Sequence, residues 1–182
     1  MSENGGFFNG LIGDIERSLP FHIIAFWSDN GSEFLNHHLW RYFAVREKPV
    51  NFSRSRPYKK DDNAHVEQKN WTHVRQLFGY DRIDKAGLVP AMNEIYKLWG
   101  QYQNHFSPTR KLVGKTRINS KWKKTYDKPS TPYQRLLDSP HITPDVKERL
   151  ASIQAELNPF RLKNDIEKKL RKLFNALWAD EP

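Results

Sequence analysis

The sequence contains no cysteine. Disulfides, thiolate metal sites and cysteine nucleophiles are therefore excluded, and a reducing compartment is compatible with that absence. Long apolar runs are missing too. The longest is about the length of a strand, well short of the ~20 residues that a membrane-spanning helix needs. The first ten residues, MSENGGFFNG, carry no basic leader segment. Together these absences lead us to expect an intracellular protein with no membrane partner. No two histidines stand four apart, so a zinc site is disfavoured as well. No internal repeat is visible.

Negative charge is the scarcer sign: 21 Asp and Glu face 30 Lys and Arg, a net charge of +9. The excess is local. Residues 41–60 hold seven basic residues against Glu47, or +6, and residues 110–128 hold eight against Asp127, or +7, which leaves the remainder at −4. Concentrated cations on a mildly acidic background point to a polyanion, most simply nucleic acid, since phosphate neutralisation releases counterions. A solvated basic surface is the plainer alternative. At 182 residues, 37% hydrophobic and 13% aromatic, the chain suffices for one ordinary domain plus an appendage.

Periodicity divides the chain further. Phe7, Phe8, Leu11, Ile12 and Ile15 recur at helical spacing before Pro20. FHIIAFW, residues 21–27, is short, β-branched and aromatic, and reads as a buried strand. Ser32 suits a helix cap, followed by an apolar stripe of Phe34, Leu35, Leu39, Tyr42 and Phe43. VNFSRS suits a second strand. Asp62 or Asn63 can cap a helix running from about Ala64 to Phe78 and closed by Gly79. Another helix begins near Pro90, carries Met92, Ile95, Tyr96, Trp99 and Tyr102, and stops before Ser107-Pro108. The order is α/β with few strands. Residues 107–144, rich in Lys, Thr and Pro, read as a basic, loosely structured connector. In the C-terminal helical region, residues 145–182, Ile166, Leu170, Leu173, Phe174 and Leu177 form a stripe for packing on the preceding elements or on a partner helix.

Two acidic residues stand in suggestive settings. Asp29 follows the first strand, just before the Asn30-Gly31 turn, and Glu67 lies in the first turns of a later helix, thirty-seven residues intervening. Carboxylates delivered to one edge of a sheet bind divalent cations through oxygen, although surface solvation explains most such pairs. The loop before Glu67 carries Arg54, Arg56, Lys59 and Lys60.

SDNGSEF, followed after the second strand by SRSRPYKKDDNAHVEQKNWTHVR, closely resembles the DDE integrase core shared by retroviral integrases and bacterial insertion-sequence transposases. The resemblance covers roughly residues 7–105. It implies a ribonuclease H-like fold over residues 1–106, with Asp29 and Glu67 as second and third members of a catalytic triad. It also implies two Mg²⁺ or Mn²⁺ ions, DNA together with further transposase chains as partners, and a cytoplasmic, nucleoid-associated place in a bacterium. Arg54, Arg56, Lys59, Lys60 and Asn70 become candidate DNA contacts, joined by Lys121, Lys123 and Lys124 from the second basic window; solvated side chains are the alternative for each. Tyr58 suits stacking on a base or packing of the loop.

That family's core opens with three strands, the first carrying the first catalytic Asp. The present sequence opens at the helix before the fourth. Asp14 lies on a helical face and is not assigned that role. The expectation is thus a partial core lacking its first three strands, part of a DNA transposition and integration system and inactive alone. A non-catalytic DNA-binding or partner-binding remnant is the alternative.

Overall fold

Ile12, Leu39, Phe43 and Val50 converge on one small core. The computed structural model describes residues 12–28, 37–56 and 60–179. Residues 12–18 form helix α1. Strand β1 (Ala25–Ser28) leads through helix α2 (His37–Ala44) to strand β2 (Asn51–Arg54), and the strands pair in parallel from Ala25 opposite Asn51 to Ser28 opposite Arg54. Leu39 and Phe43, four apart on α2, are fully buried, with Ile12 and Val50 beside them and Phe26, Tyr42 and Phe52 packed against the cluster. The rings of Phe26 and Phe43 stack at 4.7 Å, and those of Phe43 and Phe52 at 6.0 Å. Burial of each large apolar side chain stabilises the fold by about 1.5–3 kcal/mol.

A polar clasp closes this core from the side. Arg46 donates two hydrogen bonds to the Glu16 carboxylate, Nη2 to Oε1 at 2.7 Å and Nη1 to Oε2 at 3.2 Å, and the Tyr42 hydroxyl donates to Oε2 at 2.6 Å. Both charged side chains are largely shielded from water. Asp14, by contrast, is exposed and paired only with its neighbour Arg17 among the described residues.

FHIIAFW is shorter and more open as a strand than its composition suggests. Pairing begins at Ala25, and Ile24 and Trp27 are 78% and 52% exposed. A strand alternates faces, so Phe26 and Ser28 turn toward the core while Trp27 turns away. Among the described residues β1 has a neighbour on one side only.

Beyond β2 the chain makes a 3₁₀ turn (Lys60–Asn63), helix α3 (Ala64–Asn70), a π turn (Trp71–Arg75) and a closing helix α4 (Gln76–Phe78). Gly79, at φ +73°, ends the run in a conformation that only glycine adopts readily. The expected helix from Ala64 to Phe78 is thus present. Neither expected side-chain cap is. Asn63 occupies the N-cap position without a capping hydrogen bond, because its amide meets Ser55, and the Asp62 carboxylate is turned onto Arg56.

The chain divides into two compact units, Met1–Tyr80 and Asp81–Pro182. Residues 1–106, taken as one core from the sequence, therefore straddle a boundary: helix α5 (Val89–Phe106) belongs with the second unit, where it packs on helix α8 (Pro159–Trp178). Ile95 of α5 and Leu162, Ile166, Leu173 and Leu177 of α8 are buried, so the C-terminal stripe has its partner within the unit. Lys85 Nζ donates to the Leu177 carbonyl at 2.7 Å, satisfying a helix C-terminus with a cation.

Residues 107–144 are not a loose connector. They contain strand β3 (Leu112–Ile118), strand β4 (Lys121–Tyr126) and helix α6 (Pro132–Asp138), before helix α7 (Pro144–Glu156). β3 and β4 form an antiparallel hairpin whose tip, Asn119-Ser120, places Asn119 at φ +55°. Asn is among the few non-glycine residues that tolerate that region. Thr131 and Gln134 form a reciprocal capping box at the start of α6, at 3.1 and 2.9 Å.

Candidate functional site

A parallel βαβ order presents the carboxyl ends of both strands on one edge, the usual place for a site in such sheets. Here that edge comprises Ser28, with Arg54 beside it. Ser55 ties it together. Its backbone N–H donates to the Ser28 carbonyl at 3.0 Å, and its buried hydroxyl accepts from Trp27 Nε1 at 3.1 Å and donates to Asn63 Oδ1. One hydroxyl thus joins the end of β1, the exit from β2 and the turn that starts α3. Glu67 lies in the first turn of that helix. A carboxylate there is favoured by the helix dipole, and Glu67 is open to solvent. Ser28 Oγ is buried at this edge without a hydrogen-bond partner among the described residues.

The expected site residues fare differently. Asp29 follows Ser28 directly in the chain but lies outside the described residues, as do Gly31, Ser32, Tyr58 and Lys59; the Asp29 to Glu67 separation therefore lies outside them too. Lys60 opens the 3₁₀ turn, and its side chain is not described. Arg54 is exposed at the end of β2. Arg56 already has a partner: its Nε and Nη2 donate to the two Asp62 oxygens at 3.0 and 2.9 Å, and its backbone N–H donates to Oδ2 at 3.0 Å. This bidentate pair closes the loop on itself. Asn70 lines an open groove of about 590 Å³ with His65, Val66, Lys69, His73 and Val74, in which Glu67 takes no part. Burial, then the nearby Lys69 charge, holds the His73 imidazole below its ordinary pKa. The π turn after Asn70 is a feature frequent at functional sites. Among the described residues no three His, Asp or Glu side chains gather as a metal site.

The second basic window builds a different surface. Every residue of β4 is exposed, as are all of β3 except the half-buried Gly114. Lys121 and Lys123 lie on one face; Lys124 lies on the other with Trp122 and Tyr126, by the alternation of the strand. Opposite these stand Arg117, Lys115 and Leu112 on β3. Lys115 Nζ rests over the Trp122 ring at 4.6 Å from its centroid. Sequence reasoning missed Lys115, Arg117, Trp122 and Tyr126 as a set. The signal was the alternation of Lys and Arg with Thr, Ile, Trp and Tyr around Asn119-Ser120.

The base of this hairpin is fixed. Asp127 accepts from Arg135 Nη1 and from the Lys111 backbone N–H, both at 2.6 Å, and Arg135 Nη2 donates to the Thr109 carbonyl at 2.8 Å. Arg135 foremost, then the Lys111 N–H, holds the Asp127 carboxyl below its ordinary pKa. The one acid of the 110–128 window is therefore neutralised at the base, away from the ribbon.

Among the described residues no helix is long and apolar enough to cross a membrane. No family model matches the chain, and no solved structure does. Over 120 residues, 65% of its length, the chain is 39% identical to a protein of Sinorhizobium fredii (strain NBRC 101917 / NGR234) named "Uncharacterized protein y4rM". It spans about a third of that relative, 34% of whose length is matched.

Proposed function

We propose that the chain forms part of a DDE transposase or integrase acting in DNA transposition and integration, with Asp29 and Glu67 as the second and third carboxylates of a ribonuclease H-like core. Beyond the paired motifs in the sequence, one observation carries the reading. Ser55 bonds to Trp27 and Asn63, which anchors the start of the Glu67 helix at the strand edge from which the chain proceeds to Asp29. In phosphodiester cleavage and strand transfer, Mg²⁺ or Mn²⁺ neutralises charge developing on phosphate oxygens. Asp29 and Glu67 would hold it with a third carboxylate. Of these the described residues include Glu67 alone, and among them no three His, Asp or Glu side chains gather. What the described residues do is tie the start of the Glu67 helix to β1 through Ser55 and leave Glu67 solvent-accessible.

The exposed β3–β4 ribbon favours a second reading, a non-catalytic DNA-binding protein, because its cations lie on an element with no carboxylate chemistry. One assay separates the two. The 182-residue chain, alone and together with a chain supplying the preceding strands of the core, is incubated with DNA and Mn²⁺. Under the enzymatic reading the chain alone is inactive, the combination nicks DNA, and both Asp29→Asn and Glu67→Gln abolish nicking. Undiminished nicking by either variant, or DNA binding without nicking in every combination, overturns it in favour of the second reading.

A further inference from the structure

A two-stranded ribbon exposed on both faces has no core of its own to bury, yet this one concentrates five cations and two aromatic rings. No Asp or Glu occurs between Arg110 and Tyr126, while seven basic residues do. Lys115 and Lys124 stand directly opposite each other across the strands, a like-charge pairing that a bound anion relieves, and the Lys115 ammonium lies over the Trp122 ring. The same face presents Trp122, 53% exposed, and Tyr126, 48% exposed. These rings sit on either side of Lys124, on the order of 13 Å apart along the strand. Exposed rings alternating with cations match a single strand of nucleic acid, whose bases stack on aromatic faces while its phosphates meet ammonium and guanidinium groups. A duplex, with its bases already stacked, would engage only the cations.

We infer that the Trp122 face of the β3–β4 ribbon, with Lys115, Arg117, Lys124 and Tyr126, is a binding surface for unpaired nucleic acid. The opposite face, with Lys121 and Lys123, makes electrostatic contacts blind to strandedness. Tethering of the ribbon base through Asp127 and Arg135 keeps the face presented in the free protein. The inference goes beyond the transposase reading and needs neither Asp29 nor Glu67.

The test measures binding of the full chain to a fluorescent dT₂₀ oligonucleotide and to a 20-base-pair duplex at one salt concentration, for the unaltered protein and for Trp122→Ala, Trp122→Phe and Lys121→Gln/Lys123→Gln. Stacking on one base corresponds to about a 5- to 150-fold effect on affinity. Trp122→Ala should therefore weaken dT₂₀ binding by roughly 10-fold or more and duplex binding by less than 2-fold. Trp122→Phe, which keeps an aromatic face at the same position, should retain most of the dT₂₀ affinity and so separate stacking from damage to the hairpin. The double lysine variant should weaken both ligands alike. Equal losses for dT₂₀ and duplex in Trp122→Ala, no loss for either, or a Trp122→Phe protein as weak as Trp122→Ala overturns the inference. These affinities are measured without Mn²⁺ and read no nicking, so failure of the stacking surface and failure of the catalytic reading remain distinguishable.

Discussion

Replacing Ser55 by Ala removes one oxygen and with it the junction of three elements. The hydroxyl accepts from Trp27 Nε1 at 3.1 Å and donates to Asn63, and it is 4% exposed. Each hydrogen bond contributes about 0.5–1.5 kcal/mol net, and a partner left unsatisfied in a buried place costs about 1–3 kcal/mol. The two orphaned groups differ. Trp27 is half exposed, so its N–H recovers a bond to water; Asn63 is half-buried at the start of α3 and recovers less. The loss should therefore be about 1–2 kcal/mol, below the sum of the two full penalties. For a unit of this size that corresponds to a fall in Tm of roughly 5–15 °C.

The assay is urea and thermal unfolding of Ser55→Ala, Asn63→Ala and the double variant, together with amide hydrogen exchange over residues 55–70. Contacting partners should be non-additive by roughly 0.5 kcal/mol or more. Faster exchange should begin at the 3₁₀ turn and spread into the Glu67 helix, leaving α5 and α8 protected. A Ser55→Ala protein within about 0.5 kcal/mol of the parent, the ordinary range for an inconsequential substitution, would refute the claim that this hydroxyl positions the helix. So would strict additivity with Asn63→Ala.

Other outcomes follow from the same contacts. The hydrogen bond from Arg46 foremost, and that from Tyr42, hold the Glu16 carboxyl below its ordinary pKa. Its contribution to stability is therefore complete above the unfolded-state value and is lost as pH falls through the lower folded-state value; a stability profile from pH 6 to pH 3 should show this loss, and Glu16→Gln should flatten it. DNA affinity should fall steeply with salt, and Lys121→Gln/Lys123→Gln should make the log–log slope for duplex shallower by about 2, near 0.9 for each phosphate contact removed; titrations between 50 and 200 mM salt check this. Leu173→Ala, at a position 2% exposed on α8, should destabilise the second unit by about 2–5 kcal/mol, measured as a lower urea midpoint with unchanged m-value.

Elements whose residues serve themselves were readable from the sequence; elements defined by a partner were not. The helix closed by Gly79 and the helix entered at Pro90 carry their own punctuation, a conformation only glycine reaches at one end and a ring preset for the first turn at the other. FHIIAFW looked buried because apolar residues predominate along it. Burial, though, requires something on each face, and composition does not report how many faces are covered. Asp62 and Asn63 have the chemistry of caps but spend it on Arg56 and Ser55, choices settled by residues that only folding brings near.

Residues 107–144 conceal their strands for a related reason. Lys and Arg dominate residues 107–144 and mask a two-residue period, which becomes visible once Asn119-Ser120 is taken as a turn and β4 is laid against β3. Charge counted over a window cannot distinguish cations scattered around a loop from cations drawn up on two faces of a ribbon. The paired geometry makes that distinction: Lys115, Arg117 and Lys124 share the face of Trp122, and Lys121 and Lys123 lie on the other. Of the proposed site, the sequence carries the order of the two carboxylates. What ties the end of β1 to the start of the Glu67 helix is the Ser55 hydroxyl, on a residue without charge or motif that no composition or periodicity would have singled out.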